Sequence, residues 1–265
     1  MKPASFAYAR PLDWSHAVTL VAAGARPGAG TQSLGPLLNL RLAQPDTIAD
    51  LRHLPDYAGV AVADGVVRIG AGTTHAAIED GAVPGRVGEI MAGIARGIAY
   101  RPVRNRGTIG GSVAHADPAA DWVAVLPALG ATAVALGPRG ERRIASARFV
   151  TGILETALAA DELLRFIDVP VLPAEARWGH WKFCRKVGEF SKATACVLAR
   201  PGEPPRAVLA ALDRPPLVIE DASALVADTA AAASRIVERV ADLAPWRRAI
   251  AETALRRAVA RMAAA

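Results

Sequence analysis

The sequence predicts an α+β fold, and three observations carry that prediction. Strand-like and helical stretches are mixed without a regular strand–helix–strand alternation, which argues against a doubly wound parallel sheet. Two tight-turn signals, Asp64-Gly65 and Pro138-Arg139-Gly140, join alternating apolar runs, as antiparallel hairpins do. From about residue 200 the composition shifts to alanine-rich helical stretches, which marks a distinct C-terminal unit. At 265 residues, 52% of them hydrophobic and 21% charged, the chain is long enough to bury a large core in two or three lobes.

The elements follow in chain order. Ser15 is placed to cap a helix over HAVTLVAA, which Gly24 ends. A short strand near Arg26 leads into the turn PGAGTQS, then the apolar stretch LGPLLNLRLAQP and the strand-like DTIADL. VAVADGVVRIGAGT reads as a hairpin, Thr73 or Thr74 as the cap of HAAIEDG, and VGEIMAGIARGIA as a helix by its apolar spacing. A loop spans 104–121, and Asp121 caps WVAVLPALG. ATAVALGPRGERRIAS is a second hairpin, ELLRFIDVP and GHWKFCRKV are strands, and ARPGEPPRA is a loop. Two helices close the chain near 221–242 and 246–263.

Composition narrows the function. The net charge of +6 fits solvated arginines on helix faces. No RNA-binding aromatic motif, zinc-finger spacing or arginine block accompanies it, so nucleic acid is not an expected partner. Cys184 and Cys196 are too few for a disulfide framework or a four-thiolate iron–sulfur cluster and read as buried reduced thiols. MKPASFAYARPLDW lacks the apolar core of a signal peptide. The most apolar run is broken by Pro127 and Gly130, so no membrane span is expected and the chain reads as cytoplasmic.

Two glycine turns are the candidate site. The turn at 28–33 and the loop RNRGTIGGSVAHADPAAD at 104–121 share a design of small residues at a tight turn followed by hydroxyls. Glycines let backbone N–H groups converge into an anion-binding nest, and Thr31, Ser33, Thr108 and Ser112 add hydroxyl donors. Two such nests suit a pyrophosphate, while ordinary turns remain the other reading. Asp121 is either an acceptor for sugar hydroxyls or a helix cap. His115 is either a proton carrier or a loop donor, and His75 with Glu79 reads as a solvated helix face rather than a metal site. The Rossmann fingerprint fails because Gly28-Ala29-Gly30 lacks its third glycine, and no P-loop lysine follows.

With those residues in view, the chain resembles the FAD-binding medium subunits of molybdenum hydroxylases, the carbon monoxide and xanthine dehydrogenase family. AGTQSLGPLLNLRLAQPDTIADL resembles the first flavin motif, RNRGTIGGSVAHADPAADW the second, and ELLRFIDVP with WKFCRKVGEFS the third. The resemblance implies an FAD domain over 1–173, with lobes at about 1–55 and 56–173, and a C-terminal domain of antiparallel strands and helices over 174–265. It places Ala29, Gly30, Thr31, Gln32 and Ser33 at one pyrophosphate turn, and Thr108, Ile109, Gly110, Gly111 and Ser112 at the other. Asp121 then lies at the ribityl chain, Ile98 near the adenine, and Leu164 and Lys182 at the isoalloxazine. Lys182 is either a cation beside the flavin ring or a snorkelling surface lysine.

Three positions depart from the pattern: Thr31 stands where the family usually has glycine, Ser112 where it commonly has asparagine, and Trp181 where it has tyrosine. No catalytic nucleophile or acid–base pair stands out, as suits an electron-transfer subunit. The partners implied are a large subunit with the molybdenum cofactor and a small one with [2Fe–2S] clusters, as a dimer of heterotrimers. The implied acceptor is NAD, a quinone or oxygen. The alternatives are a stand-alone flavin-dependent oxidoreductase and an assembly protein that has lost the cofactor.

Overall fold

The computed structural model describes residues 2–264, built around three principal sheets. The first region runs through β1 (Ala7–Ala9), α1 (Trp14–Ala22), β2 (Arg26–Gly28), α2 (Leu34–Asn39) and β3 (Thr47–Asp50). Its strands pair in parallel in the order β1-β3-β2, so Gly28 and Asp50 sit opposite one another at the carboxyl edge. The crevice beyond that edge is where ligands of open parallel sheets bind.

The second region contains β4 (Val60–Ala63), β5 (Val66–Gly70), α3 (His75–Glu79), α4 (Gly85–Arg96), α5 (Arg101–Arg104), α6 (Ile109–His115) and α7 (Asp121–Leu129). It continues with β6 (Thr132–Gly137), β7 (Gly140–Ala145), β8 (Val150–Gly152), β9 (Glu155–Thr156) and β10 (Leu163–Pro170). Five of these strands form an antiparallel sheet in the order β4-β5-β10-β6-β7. Asp64 and Gly65 both have positive φ, 51° and 75°. That is the geometry a two-residue hairpin needs to match strand twist.

The third region has β11 (Arg177–Phe183), β12 (Ala193–Ala199), β13 (Arg206–Ala210) and β14 (Leu217–Ile219), antiparallel in chain order. It ends with α8 (Ser223–Ala227), α9 (Thr229–Glu238) and α10 (Pro245–Ala263). Cys196, Leu198, Val208 and Ala210 face one side and join the main core with α7, which is buried from Trp122 to Leu129. A helix apolar on every face has to be covered on every face. Ala195, Val197 and Leu209 face the other side and pack with Ala251, Ala254, Leu255 and Ala258 of α10. Gly179 makes that packing possible, since a Cβ there would lie 1.8 Å from the Ala258 carbonyl oxygen.

Several expected elements shift. Asp13, not Ser15, caps α1, because its carboxylate accepts the His16 amide. The segment 104–121 is not one loop. It carries α6, whose cap Thr108 accepts the Gly111 amide at 3.0 Å. Asp121 is the first residue of α7 rather than its cap, which is Ala120. The helix expected over 221–242 is divided at Asp228, whose side chain caps α9 instead. Strands β12 and β13 escape a period-2 reading because ATACVLA and RAVLA are buried on both faces and do not alternate.

Candidate cofactor site

The turn 29–33 leaves β2 at the carboxyl edge of the parallel sheet. Thr31 is in the left-handed region at φ 57°. A left-handed residue beside ordinary ones turns successive amides toward the same side. Among the described residues the amides of Gly30, Thr31, Gln32 and Ser33 find no acceptor, while the Thr31 carbonyl accepts the Gly35 amide at 2.7 Å. Four consecutive free donors at a tight turn are an anion cradle. A β-branched residue in that region costs on the order of 1–2 kcal/mol, so the turn keeps its shape against local preference.

The two glycine turns meet. Gly30 lies flush on the second, since a Cβ on it would stand 1.9 Å from the Arg106 carbonyl oxygen and 2.8 Å from Gly107 Cα. A Cβ on Gly111 would reach Ala29 Cβ at 3.6 Å. At the second turn the amides are already committed, contrary to the two-nest reading. Ile109 donates to the Thr73 carbonyl at 3.0 Å and Gly110 to the Ala71 carbonyl at 2.8 Å. Gly111 donates to Thr108 Oγ1, and Ser112 to the Thr108 carbonyl at 3.0 Å. The first two bonds fasten the head of α6 to the turn after β5, and the last two close its own first turn. What the second turn can offer a ligand is therefore the hydroxyls of Thr108 and Ser112. Gly110 is glycine for packing, because its Cβ would lie 2.3 Å from Ala71 Cβ.

A second cluster joins the FAD-motif residues to the C-terminal sheet. Lys182 Nζ donates to Asp121 Oδ1 at 2.8 Å, Oδ2 at 3.1 Å and the Gly97 carbonyl at 2.9 Å. Both side chains are nearly buried, at 15% and 11% exposure. Burial raises the Asp121 pKa, and the adjacent ammonium pulls it back down. Lys182 is thus neither a surface lysine nor an unengaged cation. It holds α7, the end of α4 and β11 together.

Ile98 follows Gly97 and packs half-buried on the main core. Its carbonyl accepts from Arg104 Nη1 at 2.8 Å, and Arg104 is also paired with Glu79 at 2.7 Å. Sequence reading passed over Arg104; its only signal was a cation at the head of the second motif. Leu164 is core, at 5% exposure. His115 is half-buried, and burial lowers its pKa against the pull of Asp117.

His75 and Glu79 are not a solvated face. Glu79 is engaged by Arg101 and Arg104, and His75 Nδ1 accepts the Trp122 indole N–H at 3.1 Å. Burial, reinforced by Arg104, lowers the His75 pKa from 6.5 to about 4. The unfolded imidazole protonates near 6.5 and the folded one only near 4. Its stabilisation is therefore present above pH 6.5 and lost as pH falls toward 4. Up to about 3 kcal/mol of unfolding free energy should disappear over that window. Urea titrations of His75→Gln should show a flatter pH slope than wild type, and an unchanged slope would exclude this residue as the cause.

A parallel three-stranded sheet beside an antiparallel five-stranded one, with free amides in the glycine turn at the parallel sheet's carboxyl edge, is the architecture of a domain suited to an anionic cofactor. The chain belongs to the family described as the FAD binding domain in molybdopterin dehydrogenase, which matches residues 4–172. The resemblance seen in the three motifs is therefore borne out, and the chain is an oxidoreductase component. It is 35% identical over 200 residues to the nicotine 6-hydroxylase medium subunit of Paenarthrobacter nicotinovorans, covering 75% of this chain and 70% of that one. It is 37% identical over 202 residues to the carbon monoxide dehydrogenase medium chain of Afipia carboxidovorans, covering 75% and 70%. A solved chain of carbon monoxide dehydrogenase from Hydrogenophaga pseudoflava superposes with a TM-score of 0.90 at 30% identity, covering 100% of this chain and 99% of that one. Among the described residues no helix is long and apolar enough to cross a membrane.

Proposed function

We propose that this chain is the FAD-carrying electron-transfer subunit of a molybdenum hydroxylase. In this reading a large subunit oxidises the substrate at a molybdenum cofactor, and [2Fe–2S] clusters on a small subunit relay the electrons to this chain. An external acceptor, NAD, a quinone or oxygen, takes them up, and the assembly is a dimer of heterotrimers. The observation that carries the reading is the run of free amides at 30–33, seated against Arg106 and Gly107 inside the residues matched to the FAD family. Bound FAD supplies an electron store between partner and acceptor.

The residues of this chain bind and orient the cofactor. Ala29, Gly30, Thr31, Gln32 and Ser33 cradle the pyrophosphate with backbone donors, and Thr108 and Ser112 add hydroxyls from the turn that Ile109, Gly110 and Gly111 shape. Asp121, held by Lys182, presents a buried carboxylate to the ribityl hydroxyls. Ile98, half-buried, supplies apolar surface for the adenine, and Leu164, in the core, backs the isoalloxazine end of the site from behind. The same reading puts the boundary between the FAD domain and the C-terminal domain near residue 173.

The purified chain should be yellow, release FAD on mild acid treatment, and oxidise no substrate alone. Mixed with its large and small partners, its flavin should bleach when substrate is added. Substrate turnover by the lone chain would overturn the relay role in favour of a stand-alone flavin oxidoreductase.

A further inference from the structure

An open cleft of about 270 Å³ lies between β11 and α10, lined by Trp181, Phe183, Ala249, Ile250, Thr253 and Arg257. It lies outside residues 4–172, the part matched to the FAD family. Its walls are mostly apolar, and the Arg257 guanidinium sits 4.8 Å over the Trp181 ring. Of the other arginines on α10, Arg247 pairs with Asp213 and Arg256 with Glu252, Arg261 donates to a backbone carbonyl, and Arg248, away from the cleft lining, has no acidic partner among the described residues. Arg257 has none among the described residues. Trp246 is 57% exposed and continues the same helix face, since 246, 250, 253 and 257 recur at helical spacing.

Size and edge geometry decide what fits. Small-molecule and cofactor sites run to roughly 300–1,000 Å³ and enclose their ligand, whereas this cleft is smaller and open. It suits one or two anchoring side chains. β11 is an edge strand, and Arg261 reaches across to donate to the His180 carbonyl at 2.9 Å, so that position is closed to an added strand. The cleft itself lies between side chains of β11 and α10, so the occupant enters it side chain first. An unpaired guanidinium on an aromatic ring, on a chain of net charge +6, selects an acidic occupant.

We propose that this cleft docks an acidic segment of a partner polypeptide in the assembly. An aromatic or aliphatic side chain of that segment seats between Trp181 and Ile250, and a carboxylate meets Arg257. The inference rests on the multi-subunit reading above and assigns it a surface.

The test co-expresses the full chain with the large and small subunits and follows assembly by size-exclusion chromatography and calorimetric titration, with flavin content measured alongside. Ile250→Asp and the exposed variant Arg257→Glu are each expected to weaken assembly about tenfold or more, with flavin content at the wild-type level. Arg257→Lys should retain most of the assembly. Arg235→Glu, in the separate groove beside α9, should leave it unchanged. Wild-type assembly by Ile250→Asp and Arg257→Glu overturns the inference. So does loss of flavin in them, or a loss confined to self-association of this chain. If the wild-type chain itself fails to assemble, the multi-subunit reading falls, and the docking surface with it.

Discussion

Gly30→Val is expected to abolish FAD binding while the fold survives. The first new atom would stand 1.9 Å from the Arg106 carbonyl oxygen, and 2.6 Å from the carbonyl carbon behind it. Backbone cannot yield as a flexible side chain does, so the turn 29–33 must withdraw from the second turn by more than an ångström. The four free amides of 30–33 withdraw with it. Hydrogen bonds to a charged group are worth about 1.5–3 kcal/mol each. Misplacing even one donor therefore lowers affinity about tenfold or more. The fold loses little, because those amides bind no other part of the protein. Flavin content and far-ultraviolet circular dichroism of the purified variant check both halves, and full flavin content in a folded variant would remove the turn from the site.

Gly110, in the conspicuous Gly-Gly pair, is a poorer probe. The sequence suggests that Gly110→Val should empty the site and spare the fold. Its Cβ would instead strike Ala71 at 2.3 Å and disturb the Gly110–Ala71 hydrogen bond that anchors α6. A loss of flavin there could not be separated from a loss of structure.

The difference between these glycines shows what could be read from the sequence. The Asp64-Gly65 hairpin was legible because a two-residue turn with two positive φ angles leaves a local chemical mark. The glycine turns were legible as turns. Which of their amides stay free was not, because Thr73 and Ala71, the acceptors that consume two of them, come from the turn after β5, more than thirty residues earlier in the chain. Asp121 was legible as important and misread as a cap, since its partner Lys182 is 61 residues away. His75 looked solvated because α3 shows only five residues of pattern, and the helices and tryptophan that cover it arrive later in the chain. Strands β12 and β13 were silent because burial on both faces erases alternation.

Lys182→Met should destabilise the protein strongly, by about 3–5 kcal/mol if Asp121 stays ionised. The substitution keeps an unbranched apolar stem only one atom shorter and removes the cation. Asp121, 11% exposed, then faces the interior with no countercharge, and the Gly97 carbonyl loses its donor. The carboxyl has an escape. Burial already raises its pKa, and without the ammonium it rises further, so the folded variant takes up a proton that the unfolded chain releases near the ordinary carboxylate range. The folded state then binds more protons than the unfolded one, and the variant's stability falls as pH rises through that range and beyond. Asp121→Asn in the Lys182→Met background removes the titrating group and should recover much of the loss, together with its pH slope. The measurement is a double-mutant cycle of urea unfolding free energies at several pH values. Additive losses without recovery in the double variant would mean that the two side chains act separately, and that the sheet is held to α7 by packing alone.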